Sequence, residues 1–214
     1  MHDAVIFDLD GTLVDSAHDI HAIANVLMAD LGAAPFLLDE ARSYVGNGAA
    51  TFVARCLAAR GLPETLHAEA LARFQALYET QEPLCRPYPG VEPLLAGLSA
   101  QGVPLGLCTN KPGRPAAKVL AALGWSDVFA VVVAGDTLPA MKPDPAPLRH
   151  ALDALGGRAA LYVGDSEVDA ETAQAAGTPF ALFTEGYRRG PVEAMAADFA
   201  FADYAALSAR LGVG

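Results

Sequence analysis

Cysteine is scarce in this 214-residue chain: there are only Cys56, Cys85 and Cys108, and no two of them form a C-x-x-C pair. An odd, dispersed set offers no disulfide framework and reads as reduced thiols in a cytoplasmic protein. Basic residues are also few, 14 against 25 acidic ones, for a net charge of -11. That balance disfavours a nucleic acid or an anionic membrane as partner, so any bound anion must be held by a few local groups. Long apolar runs are missing: Val128 to Ala134 is among the longest, far too short to span a bilayer. No signal-peptide pattern is expected, because the first strand starts almost at once. Internal repeats and low-complexity tracts are absent too. What is plentiful is apolar side chain, 53% of the residues. A chain of this length and composition builds a sizeable core rather than a disordered segment, as one domain or a domain with an insert.

Short runs rich in β-branched and aromatic residues predict buried strands at Ala4 to Phe7, Pro104 to Cys108, Val128 to Ala134, Ala159 to Val163, Pro179 to Phe183 and Phe199 to Phe201. Helical stripes lie between them. Val91, Leu94, Leu95 and Leu98 form one; Leu148, Leu152 and Leu155 form another, with Asp144 expected as N-cap and Pro145 at the first helical position. Alternation of this kind predicts an α/β fold, a doubly wound parallel sheet with helices on both faces. From about Ser16 to Glu82 the rhythm breaks. Ile20, Ile23, Leu27 and Leu31, then Phe52, Val53, Cys56 and Leu57, then Leu66, Ala70, Phe74, Leu77 and Tyr78 all fall at helical spacing, with stops at Gly32 and Gly61. The expected organisation is therefore a core of residues 1–15 and 86–214 and an all-helical insert of residues 16–85. Its hinges are Leu13 to Ser16 and the turn-rich "RPYPG" at Arg86 to Gly90.

The first strand runs into two acids, Asp8 and Asp10, and then Gly11 and Thr12. Side chains two apart on an extended segment point the same way, so both carboxylates converge if the strand geometry continues. Gly11 lets the chain turn and brings its backbone near a ligand. The second strand ends in Thr109, Asn110 and Lys111; Lys142 precedes the helix near Pro145; the fourth strand ends in "VGDSEVD", with Asp165 and, four residues on, Asp169. Ligands of open α/β sheets bind beyond the carboxyl ends of the strands. Oxygen ligands without histidine or cysteine suit a hard cation such as Mg²⁺, and a lysine with a hydroxyl suits a phosphate.

"DLDGTLVDS" resembles the first motif of the haloacid dehalogenase superfamily of phosphotransferases, Thr109 in "LCTNKP" its second, Lys142 its third and "GDSEVD" its fourth. The insert resembles that superfamily's all-helical cap. The motifs follow in order along the whole chain. The resemblance implies a sheet of order 3-2-1-4-5. Asp8 is then the nucleophile that becomes an aspartyl phosphate, and Asp10 the acid and base. Mg²⁺ is held by Asp8, the main-chain carbonyl of Asp10 and Asp165, with Asp169 supporting its water shell. Lys142, Thr109 and backbone N–H groups near Gly11 and Asn110 hold the phosphoryl oxygens. An acid at position 10 separates phosphatases and phosphomutases from the dehalogenases, which lack it, and from the ion-pumping ATPases, which carry threonine. Glu167 and Val168 are less usual for the fourth motif.

"VGNGA", Val45 to Ala49, falls where this cap class has its specificity loop; by itself it also reads as a flexible turn with a helix N-cap. With "AGDTLPAMKPDPAPL" and "FTEGYRRGP" it resembles the phosphoglycolate phosphatases, with Met141 where these often carry a basic residue. The expected partner is thus a small phosphomonoester, 2-phosphoglycolate. Asn47 and the N–H groups of Gly46 to Ala49 are the expected holders of its carboxylate. A β-phosphoglucomutase-like enzyme or broader sugar phosphatase shares every core residue and differs in cap contacts. A receiver module that accepts phosphate without turnover has an adjacent acidic pair and no helical insert.

Overall fold

The computed structural model describes residues 3–157 and 159–213. Six strands make one parallel sheet: β1 (Ala4–Phe7), β4 (Leu105–Cys108), β5 (Val131–Val133), β6 (Ala160–Gly164), β7 (Phe180–Phe183) and β8 (Phe199–Phe201). Their order is β5-β4-β1-β6-β7-β8, the expected arrangement with the Phe199 strand added at one edge. The registers centre on β1: Val5 lies beside Leu105 and Leu161, Phe7 beside Leu107 and Val163.

Strict alternation explains why such oily strands are stable here. Val5, Phe7, Leu105, Leu107, Leu161, Val163 and Phe183 point to one face. There they meet the apolar stripes of α5 (Val91–Ala100), α6 (Gly113–Ala122) and α9 (Tyr204–Leu211). Ala4, Ile6, Tyr162, Phe180 and Leu182 point to the other, against α7 (Ala146–Ala154) and α8 (Glu167–Ala176). Helix α7 starts one residue later than expected, at Ala146. The N-cap is Pro145 rather than Asp144, although Asp144 Oδ1 still accepts from Ala146 N at 2.8 Å. The third strand is shorter than its apolar run, since Val128 and Phe129 instead pack on the first core.

Helices α1 (Ala17–Asp30), α2 (Leu38–Arg42), α3 (Gly48–Ala59) and α4 (His67–Thr80) share a third, separate core built on Ile23, Leu27, Phe52, Val53 and Phe74. The two segments that connect this bundle to the sheet pair with each other: β2 (Val14–Asp15) runs antiparallel to β3 (Arg86–Pro87). The bundle sits over the carboxyl ends of β1 and β4. Lys118 reaches from α6 to the carbonyls of Glu79 and Gln81. Arg42 donates to the carbonyls of Glu185 and Gly186 in the loop after β7.

Candidate active site

Strand β1 ends at Phe7, and the chain turns at once. The N–H groups of Thr12, Leu13 and Val14 all point back to the Leu9 carbonyl, and Gly11 N donates to Val14 O at 2.8 Å. The extended geometry therefore does not continue through Asp10. Both carboxylates still line one cleft under the helical bundle, but they face different cations. Asp8 faces Lys142, whose Nζ is 3.1 Å from its Oδ1. Asp10 faces Lys111, at 2.8 and 3.1 Å.

Lys142 sits on the loop after β5, wholly buried. Its Nζ donates to Asp169 Oδ1 at 2.6 Å and to the Tyr162 hydroxyl at 2.9 Å, and that hydroxyl donates to Asp169 Oδ1 at 2.7 Å. Asn110 holds the lysine's backbone in place: its Oδ1 accepts from Lys142 N and its Nδ2 donates to Lys142 O. Asn110 Nδ2 also reaches Gly46 O in the "VGNGA" loop, 3.2 Å away. The Asn110 side chain is thus occupied with positioning. Thr109 is buried, and its Oγ1 accepts from Lys111 N.

Asp169 closes a capping box at the start of α8, taking hydrogen bonds from Ser166 Oγ at 2.6 Å and from the N–H groups of Asp165 and Ser166. Asp165, 1% exposed, is held by Thr12 Oγ1 at 2.8 Å and by Tyr187 N at 2.6 Å. One carboxylate oxygen from each of Asp8, Asp165 and Asp169 lies within 4.8 Å of the others.

Three buried carboxylates and one lysine leave this spot short of positive charge. Burial pushes the Asp8 carboxyl up to about 6, with Asp169 and Asp10 adding to it and Lys142 opposing. Burial, then Asp169 and Asp8, hold Asp165 well above the carboxylate range. Burial works against Asp169 as well, but Lys142 and the Ser166 and Tyr162 hydrogen bonds outweigh it and keep that acid below its ordinary value. Asp8 Oδ1 is buried with no aligned hydrogen-bond donor, although Lys142 is near. An orphaned carboxylate oxygen facing two further acids is the environment a hard cation relieves.

Two glycines allow this crowding. A Cβ on Gly11, where φ is +84°, would lie 2.5 Å from Asp165 Oδ2 and 2.8 Å from the Tyr187 ring; one on Gly186 would lie 2.3 Å from Asp165 Cβ. Gly11→Ala is accordingly expected to lose about 1–3 kcal/mol of stability and most of the activity, because Asp165 must move. Melting and kcat/KM measured on the same preparation check this; a variant with wild-type values for both would mean the turn has room to spare.

Asn47 is not brought into the cleft. Its Oδ1 accepts from Arg55 at 2.7 Å, and Arg189 approaches the same oxygen. Its neighbours Val45, Gly46, Gly48 and Ala49 do line the cleft, and Met141 abuts Gly48. Sequence reasoning missed Lys111 and Tyr78 as cleft residues. Lys111 was visible only as part of the "TNK" strand end. Tyr78 belongs to an apolar helical stripe, where a core role explains it equally well. Thr12, Tyr162 and Tyr187 carried no signal, since each acts by clamping an acid from another element.

Comparison with known proteins agrees with this geometry. The family model for haloacid dehalogenase-like hydrolases matches residues 2–177. The chain is 51% identical over 191 residues to a phosphoglycolate phosphatase of Cereibacter sphaeroides (strain ATCC 17029 / ATH 2.4.9), covering 88% of each chain. It is 43% identical over 213 residues to a phosphoglycolate phosphatase of Rhodobacter capsulatus, covering 97% of this chain and 95% of that one. A crystal structure of a predicted phosphoglycolate phosphatase from Haemophilus somnus 129pt superposes with a TM-score of 0.90 at 30% identity, covering 98% of both chains. With its four motifs gathered at the carboxyl ends of β1, β4, β5 and β6, this chain belongs to the haloacid dehalogenase-like hydrolase family.

Proposed function

We propose that this enzyme hydrolyses 2-phosphoglycolate to glycolate and phosphate through a phosphoaspartate on Asp8, with Mg²⁺ as its metal. The observation that carries the reading is the buried Asp8–Asp165–Asp169 cluster around Lys142, set beside Asp10 beneath a helical cap. The names of the relatives support the substrate.

Uncatalysed phosphate-monoester hydrolysis is so slow that a rate gain of up to ~10²¹, about 28 kcal/mol, is called for. Positioning a nucleophile supplies ~7–11 kcal/mol and general acid–base help ~3–5. The remainder must be electrostatic. Asp8 attacks phosphorus in line with the leaving oxygen, which accepts a proton from Asp10. Asp10 then takes a proton from the water that opens the acyl phosphate. Lys142 offsets the charge of Asp8, so the nucleophile does not simply repel the incoming phosphate. Thr109 and the backbone N–H groups of Asp10 and Asn110 take phosphoryl oxygens; those of Gly11 to Val14, expected from the sequence to help, are spent within the turn. Asp8, the main-chain carbonyl of Asp10 and Asp165 would hold the metal, with Asp169 behind it; once bound it supplies positive charge to the phosphoryl oxygens and to Asp8. Residues 16–85 form the cap and 1–15 with 86–214 the core; closure of one on the other excludes water before transfer.

Phosphate release over a panel of phosphomonoesters tests the substrate: phosphoglycolate should lead, and glucose phosphates in the lead would favour the sugar-phosphate reading. Repeated turnover excludes a receiver. Chelation should remove activity and Mg²⁺ restore it, with Ca²⁺ inhibitory because it is larger and less strict in geometry. Because both Asp8 and Asp165 must ionise to bind the cation and burial raises both, Mg²⁺ affinity should rise with pH through about 6 and go on rising above it, by about tenfold per unit for each proton released. Titration calorimetry at pH 5 and pH 7 would detect this; a flat profile would mean that the buried acids Asp8 and Asp165 do not hold the metal.

A further inference from the structure

We infer that Lys111 and Tyr78 together bind the carboxylate of the substrate, one from the core and one from the cap. This rests on the phosphoglycolate reading and deepens it.

The substrate carries a second anion a few bonds from its phosphate. Desolvating that anion without partners costs several kcal/mol, so the closed cleft must offer donors. Most of its lining does not. Besides Tyr78, the cap side chains there, Ile20, Val45, Phe52 and Phe74, are apolar, with the backbone of Gly46, Gly48 and Ala49 beside them, and the acids Asp8 and Asp10 repel an anion. Asn47, the residue the loop sequence suggests, is turned toward Arg55. Among the described residues lining the cleft, Lys111 is the only cation.

Lys111 is buried and its Nζ bonds both Asp10 and the Tyr78 hydroxyl, lying 4.6 Å from the Tyr78 ring centre. An ammonium carries three N–H groups. Two of them go to the oxygens of Asp10, at 2.8 and 3.1 Å, and one to Tyr78; a carboxylate that took over the longer of the Asp10 bonds would leave Asp10 its 2.8 Å contact. The Tyr78 hydroxyl accepts from Lys111, and none of its hydrogen bonds among the described residues uses its own proton. That N–H and the Tyr78 O–H stand side by side, a donor pair that matches the two oxygens of a carboxylate. Tyr78 lies on α4 and Lys111 at the end of β4, so the pair exists only when the cap is closed. A carboxylate seated there would therefore favour closure as well as binding.

The test compares kcat/KM for 2-phosphoglycolate with that for ethyl phosphate, in which a methyl replaces the carboxylate, both with Mg²⁺. In Lys111→Met the ratio should fall about 10- to 150-fold, the range for a hydrogen bond to a charged group, mainly through KM. Any effect transmitted through Asp10 falls on both substrates and cancels in the ratio. Tyr78→Phe, a milder change that keeps the ring packing, should lower the ratio at least about fivefold, and it stands as the readout if Lys111→Met fails to fold. If both folded variants keep the wild-type ratio, the carboxylate is held elsewhere and the inference fails while the substrate reading survives. If the wild-type protein itself shows no preference for phosphoglycolate over ethyl phosphate, both fail together.

Discussion

Asp8→Asn is expected to abolish turnover, by about 10⁴-fold or more, while leaving the metal-free protein as stable as the parent or more so. The two effects share one cause. In the metal-free fold the Asp8 carboxylate is buried beside Asp169, and its pKa stands at about 6 against an ordinary 3.8. A raised folded-state pKa means that the acid's contribution to stability is present below pH 3.8 and lost as pH rises through about 6. At neutral pH the parent therefore carries a cost of up to ~3 kcal/mol, from about two units at 1.36 kcal/mol each, which a neutral amide avoids. Lys142 does not lose its principal partner, since Asp169 remains 2.6 Å away. Urea denaturation in chelator at pH 7.5, paired with single-turnover kinetics, measures both quantities. A folded variant that keeps more than trace activity would show that Asp8 is not the nucleophile, and a loss of more than about 1 kcal/mol would contradict the electrostatic account.

Lys142→Met should have the opposite structural effect. It removes the buried cation nearest Asp8 and Asp169, with Asp165 close by, and leaves their charges uncompensated. Breaking a buried pair by deleting one partner typically costs 3–5 kcal/mol, a large part of the 5–15 kcal/mol that holds a domain together. The sign with pH follows. Without Lys142, the chief influence that lowers Asp169 is gone and burial weighs more heavily against its charge, so its folded pKa rises from its lowered position. The deficit should then be largest near neutral pH and shrink toward pH 4 as the acids protonate. Added Mg²⁺ should recover part of it by mass action. Activity should be lost in either case, since Asp8, the nucleophile proposed above, and the phosphoryl oxygens lose their cation. Denaturation curves at pH 4.5 and 7.5 decide the matter: a deficit that is the same at both would point to lost packing of the lysine stem rather than lost charge.

Much of this molecule could be read from residue order alone. The strands AVIF, LGLC, ALYVG and FALF are apolar throughout because both faces of a parallel sheet are covered, and that pattern is local. The stripes of α3 and α4 and the absence of strand signals marked the helical bundle for the same reason. Asp8 and Asp165 were legible because the ends of parallel strands are where such a sheet exposes polar groups, and both follow strands directly; Lys142 was legible by its place on the loop between β5 and α7. Pairing was not legible. Nothing local distinguishes Asp10 from Asp8, yet the turn at Leu9–Val14 sends them to different lysines, 101 and 134 residues further along the chain. Nor could sequence separate Lys111 from its neighbours Thr109 and Asn110: all three line the cleft, but Asn110 is taken up by the Lys142 backbone while Lys111 meets Asp10, and that depends on how β4 ends against the loop holding Lys142. Asn47 shows the converse. Its loop reaches the cleft as expected, but Arg55, two turns further along α3, takes its side chain away. Strand and helix identity follow from hydrophobic periodicity, which neighbours in the chain determine; the partner of each buried charge follows from desolvation, which only the packed tertiary structure imposes.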